Sequence, residues 1–115
     1  MKIEKSFNVQ VWVGLRMGYS DILFDTGIVA EIIDAYTKEH NTCVTITDTE
    51  FRYVDGWEPG VIVGFIQYPR FPKKESQILE DAKNIAILLK KKLNQFRVSI
   101  STPYYTYLIG DEDCK

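Results

Sequence analysis

Arg16 and Arg97 stand at the edges of two alternating stretches, "NVQVWVGLRMGY" (residues 8–19) and "LNQFRVSI" (93–100). A guanidinium is a permanent cation whose planar fork of donors clasps phosphate or carboxylate through paired, charge-assisted bonds. Brought together, the two would hold a phosphate. A second unusual stretch is "YPRFP" (68–72), where Arg70 and Phe71 lie between two prolines. A loop stiffened in this way presents a cation beside a ring at low entropic cost. The plainer alternative is that Phe71 plugs the end of the core and Arg70 is ordinary surface. Trp12 offers a ring for stacking and Asn94 an amide near Arg97, although Asn94 and Gln95 serve equally well as the close of a helix.

Catalytic chemistry has little to work with. The single histidine, His40, has no second histidine to share a metal, and no Cys, His or carboxylate spacing matches a zinc or calcium motif. A nucleophilic Cys43 or Ser20 would need a base within reach, and no pairing is recognisable. Asp48 and Glu50 of "TDTE", and Asp111, Glu112 and Asp113 of "DEDCK", suit a strand end and a charged tail. No glycine-rich loop joins a strand to a helix as a phosphate cradle. These residues predict a protein that is not an enzyme and needs neither metal nor cofactor. Cys43 and Cys114 read as free thiols.

The net charge of -2 gives no general attraction to nucleic acid or to an anionic membrane, so an anion must be caught locally. No apolar run approaches the ~20 residues of a spanning helix, and "MKIEKSFN" lacks the apolar core of a signal peptide. A cytoplasmic protein is expected, and 115 residues suit one domain.

The elements that must position these residues follow from periodicity. In residues 8–17, Val9, Val11, Val13, Leu15 and Met17 share one face, with Gln10, Trp12, Gly14 and Arg16 on the other. A helix capped by Ser20, Asp21, Asp25 or Thr26 runs to about His40, with Ile28, Val29, Ile32, Ile33 and Tyr36 along its apolar side. "TCVTITDTEFRYV" and "VIVGFIQY" read as strands joined through "DGWEPG" as a hairpin, the second ending near Tyr68. A second helix from about Ser76 carries Ile78, Ala82, Ile85, Ala86, Leu89 and Leu93, and "RVSISTPYYTYLIG" is the last strand. Strand, helix, strand, strand, helix, strand is the split βαβ order of ferredoxin-like α+β folds: a four-stranded antiparallel sheet with both helices on one face. The first strand then lies beside the last, which predicts that Arg16 and Arg97 are neighbours on the uncovered face. Residues 110–115 are expected to be a flexible tail.

That uncovered face has two other readings. RNA-recognition modules stack bases there, but "VIVGFIQY" lacks their basic, aromatic signature. A second copy of the chain covering Trp12, Ile62 and Ile66 would make a homodimer.

"VWVGLRMGYSD", "CVTITDTEFRYVDGWEPGVIVGFIQYPRFP" and "LNQFRVSI" together resemble the phage-encoded Thoeris anti-defence proteins that act as sponges. The resemblance spans nearly the whole chain. It implies sequestration of cyclic ADP-ribose isomers made by bacterial Toll/interleukin-receptor domain enzymes, by a homo-oligomer built from dimers, with cyclic oligonucleotides as further ligands in some relatives. It also implies arginines on the diphosphate, carried to Arg16 and Arg97, and an aromatic against the base, carried to Phe71. Arg70, Asn94 and Trp12 join the site from the residue reading alone.

Overall fold

In the computed structural model, which describes residues 1–114, the chain runs β1 (Val9–Gly14), α1 (Thr26–His40), β2 (Thr45–Tyr53), β3 (Gly56–Phe65), α2 (Glu75–Lys92), β4 (Val98–Ser101), β5 (Thr106–Ile109) and a 3-10 turn (Asp111–Cys114). One antiparallel sheet holds all five strands in the order β2-β3-β1-β4-β5. The α+β class is as the periodicity predicts, but the sheet has five strands rather than four.

The fifth strand arises because "STPYYTYLIG" is interrupted. Pro103 has no N–H to donate to a ladder. The Thr102 hydroxyl accepts from the N–H groups of Tyr104 and Tyr105, and Thr102 N–H donates to the Tyr105 carbonyl at 2.8 Å. A tight turn results, and β5 folds back on β4.

The β2–β3 hairpin also differs from expectation. Its turn is only Val54–Asp55, with Asp55 at φ 63°, and Gly56 to Gly60 continue as strand. Pro59 fits there because its ring nitrogen points past the end of β1, on the side where its carbonyl accepts from Leu15 N–H at 3.0 Å. β3 ends at Phe65, short of Tyr68.

Alternation assigns the two faces. Val9, Val11 and Val13 of β1, Val61, Val63 and Phe65 of β3, and Val98 and Ile100 of β4 are buried under the helices. Ile78, Ala82, Ile85, Ala86 and Leu89 of α2 press on them, as do Val29, Ile33 and Tyr36 of α1. Burying one such side chain stabilises the fold by roughly 1.5–3 kcal/mol. Asp25 caps α1, its carboxylate accepting from Gly27 N–H at 3.1 Å, and Asn41 ends the helix in the left-handed region.

The other face carries no helix. Across it runs a row of directly paired residues, Leu108, Ser99, Trp12, Ile62 and Thr47, one from each strand. Residues 111–114, expected as part of a flexible tail, form the 3-10 turn, tied to α2 by Lys90 and Asp111 at 2.5 Å. Among the described residues, no helix is long and apolar enough to cross a membrane.

Candidate functional site

The end of β1 and the start of β4 lie at the same end of the sheet. Trp12 pairs with Ser99, and continuing that register by two residues sets Gly14 opposite Arg97. Between them comes Gln95, from the turn after α2. Its side-chain amide donates to the Arg16 carbonyl at 2.6 Å and to the Leu93 carbonyl at 3.0 Å. A Cβ on Gly14 would stand 3.0 Å from the Gln95 amide oxygen and 3.2 Å from the Glu58 carboxylate. The glycine on the open face is there because two polar side chains cross it.

Arg16 does not point toward Arg97. Its guanidinium turns to the loop that follows β1, donating to the carbonyls of Ser20 and Trp57 at 3.4 Å each, with Asp21 3.9 Å away. That loop is a small hairpin, held by Met17 N–H to the Ile22 carbonyl and Phe24 N–H to the Leu15 carbonyl. The alternation that put both arginines on one face is correct for their backbones. The clasp of two adjacent guanidinium groups is not formed, because Arg16 has carbonyl acceptors at Ser20 in the loop after β1 and at Trp57 in β3.

Arg97 is exposed and, among the described residues, has no ion pair or side-chain hydrogen bond. It lines a hollow of about 560 Å³ together with Tyr19, Phe96, Leu108, Gly110, Asp111 and Glu112. Tyr19 and Phe96 lie ring against ring, centroids 4.6 Å apart and planes tilted by 33°. Gly18, at φ 54°, lets the loop carry Tyr19 there, and its N–H donates to the Asn94 carbonyl at 3.2 Å. Asn94 itself is left-handed at φ 50° and exposed, so it shapes the junction through its backbone. The hydrogen bond and charge of Lys90 hold the Asp111 carboxyl below the usual carboxylate range. Arg97 and Glu112 are then the charged groups of the hollow without such a partner.

Trp12 sits on the open face, half-buried, with its indole N–H donating to the Ser101 hydroxyl at 2.9 Å. Phe71 and Arg70 are not brought to Arg97. They lie beyond β3, at the end of the sheet where Phe65 pairs with Val9, with the Arg70 guanidinium 5.3 Å from the Phe71 ring centre. Phe71 lines a separate cavity of about 460 Å³ there. Tyr19 and Phe96 escaped the sequence reading. Their signal was local: an aromatic after a glycine in "MGYS", and one directly before an arginine in "QFR".

Among the described residues, no group of Cys, His, Asp and Glu has the placement to hold a metal ion. Buried polar chemistry is concentrated between the helices. Asp81 accepts from the Tyr36 hydroxyl at 3.0 Å and from Gln77 and Lys73 at 3.2 Å each, while Asn84 donates to the Tyr36 oxygen at 3.2 Å. Burial, reinforced by Asp81, pushes the Tyr36 hydroxyl above its ordinary value.

No family model matches this chain, and no curated protein matches it. Two solved structures do. A phage SAM lyase in complex with S-methyl-5'-thioadenosine is 16% identical, with a TM-score of 0.75 over 93% of this chain and 91% of that one. The phage SAM lyase in its apo state is also 16% identical, with a TM-score of 0.76 over 92% and 90%. This corrects the expectation of a protein that is not an enzyme. That expectation came from a missing nucleophile and base, and an architecture that serves a lyase makes their absence no argument against catalysis. The chain has the fold of the phage SAM lyase.

Proposed function

We propose that this chain is a phage anti-defence protein that binds a cyclic ADP-ribose isomer in the Arg97 hollow and so withholds it from a bacterial signalling pathway. The supporting observation is an exposed arginine with no acceptor among the described residues, beside two rings already laid against each other. Such a set suits a diphosphate on the guanidinium and an adenine edge on Tyr19 or Phe96. The sequence resemblance to Thoeris sponges points to the same ligand class.

A second reading rests on the fold comparison: a lyase acting on S-adenosylmethionine, whose adenosine half would occupy the same aromatic pair. Calorimetry with cyclic ADP-ribose isomers and with S-adenosylmethionine, followed by mass spectrometry of each recovered ligand, separates the two. The first reading expects heat with cyclic ADP-ribose isomers. It also expects Arg97→Ala to weaken that binding about 10- to 150-fold, the loss of a charge-assisted bond of roughly 1.5–3 kcal/mol. No heat with any isomer sinks it, and methylthioadenosine produced from S-adenosylmethionine establishes the second.

A further inference from the structure

The cavity at the far end of the sheet has no part in that reading. Phe65, Ile66 and Ile78 give it an apolar lining. On one side stands Asp81, 3% exposed, already accepting from Tyr36, Gln77 and Lys73. Lys73 is less satisfied. An ammonium carries three N–H donors, and Lys73 uses one, to Asp81 at 3.2 Å. The other two have no side-chain or carbonyl acceptor among the described residues, and the side chain is 30% exposed at the cavity.

The loop around Lys73 is built to stay in place. The Gln67 amide accepts from Lys73 N–H at 2.8 Å and donates to its carbonyl at 2.5 Å. Phe71 N–H closes a turn on the Tyr68 carbonyl at 3.0 Å, and Pro69 and Pro72 fix the backbone on either side. The same loop holds Phe71 68% exposed at the cavity, next to Arg70. A rigid loop that keeps a phenyl ring out of the core, in front of an ammonium with free donors, is a preorganised recognition surface. The volume of about 460 Å³ is that of a small-molecule pocket.

We propose that this cavity is a second small-molecule site, separate from the Arg97 hollow, that takes a flat aromatic organic anion. The ring lies against Phe71 and Ile66, and the carboxylate or phosphate sits on the Lys73 ammonium. The charged side chains that line the cavity are Lys73 and Asp81. Asp81 is already engaged by three donors, whereas two Lys73 N–H groups are open, so the free hydrogen-bonding capacity suits an anion and an aromatic cation of the same shape is disfavoured.

The two cysteines supply the assay. Cys43 is exposed and lines this cavity, whereas Cys114 lies in the turn after β5. Iodoacetamide labelling of both, followed by peptide mass spectrometry, is run with indole-3-acetate, 3-indoxyl phosphate or tryptamine as probes sharing one ring. At about 1 mM probe, an anion should slow Cys43 labelling at least fivefold while Cys114 is unchanged, and tryptamine should not. The acetate and phosphate arms show which anion is preferred. Lys73→Met and Phe71→Ala should each abolish the protection, and Phe71 is exposed enough that its removal leaves the fold intact. Equal protection by tryptamine, protection that survives both substitutions, slowing of Cys114 in parallel, or no protection by either anion would overturn the site.

Discussion

Asp81 is the residue on which the contact between the two helices most depends. Three donors converge on a carboxylate with almost no access to water, and replacing it with alanine leaves the Tyr36 hydroxyl and the Gln77 amide without their acceptor. Asp81→Ala is therefore expected to destabilise the fold by on the order of 3 kcal/mol, read as a lower midpoint in urea. A loss under about 1 kcal/mol would mean that water replaces the carboxylate without difficulty. Arg97 is the opposite case, exposed and unpaired among the described residues, so its replacement should alter binding and leave the midpoint alone. The sequence reading treats Arg16 and Arg97 alike, whereas the structure leaves Arg97 free and engages Arg16 in hydrogen bonds. Both are arginines at strand ends, and what separates them is the pair of carbonyls, Ser20 after β1 and Trp57 in β3, that meet Arg16 and that no periodicity reveals.

Among the elements, the β2–β3 hairpin and the C-terminal turn make the sharpest predictions. A Cβ on Gly60 would lie 2.2 Å from the Phe51 ring and 2.9 Å from the Val13 carbonyl. The ring can swing away, but the carbonyl is part of the central strand. Gly60→Ala is expected to cost about 1–3 kcal/mol, measured by denaturant unfolding. The C-terminal turn should respond to acid. Because Lys90 depresses the Asp111 carboxyl in the folded state, their tie is fully present above the ordinary carboxylate range and is lost as pH falls through the depressed value. Amide shifts of residues 111–114 should move in that acidic window while core amides stay fixed, and Lys90→Met should show the moved shifts already at neutral pH. The helices and the first four strands were legible because apolar residues recur at 3.6 or 2.0. The turn at Thr102 was not, since it depends on one hydroxyl gathering two N–H groups, and neither was the 3-10 turn, whose acidic composition suits solvent as well as it suits Lys90.

Taken whole, the molecule has two hollows at opposite ends, joined by β1. The six residues from Val9 to Gly14 span about 17 Å at the usual strand rise, which separates the Phe71 cavity from the Arg97 hollow. A single guanidinium-and-ring pocket assembled from Arg16, Arg97, Arg70 and Phe71 within one chain is incompatible with that length. The uncovered face between the two ends carries half-buried Trp12 with exposed Leu108 and Ile66. If a second copy covers it, Trp12→Asp should shift sedimentation to the monomer without changing the circular dichroism. An unchanged sedimentation coefficient would exclude that face as the contact.

The Gly14–Gly60 rung has a consequence for how this sequence can vary. The two glycines pair directly across β1 and β3, and they are roofed by Phe51 from β2, Glu58 from β3 and Gln95 from the turn after α2. The β2–β3 hairpin and the turn after α2, distant in sequence, thus share one patch of bare main chain. Their mutational effects should be epistatic at Gly14, where a Cβ meets only side chains and is tolerated once Gln95 or Glu58 is shortened in the same variant. At Gly60 they should not be, because the Val13 carbonyl stands in the way whatever Phe51 becomes.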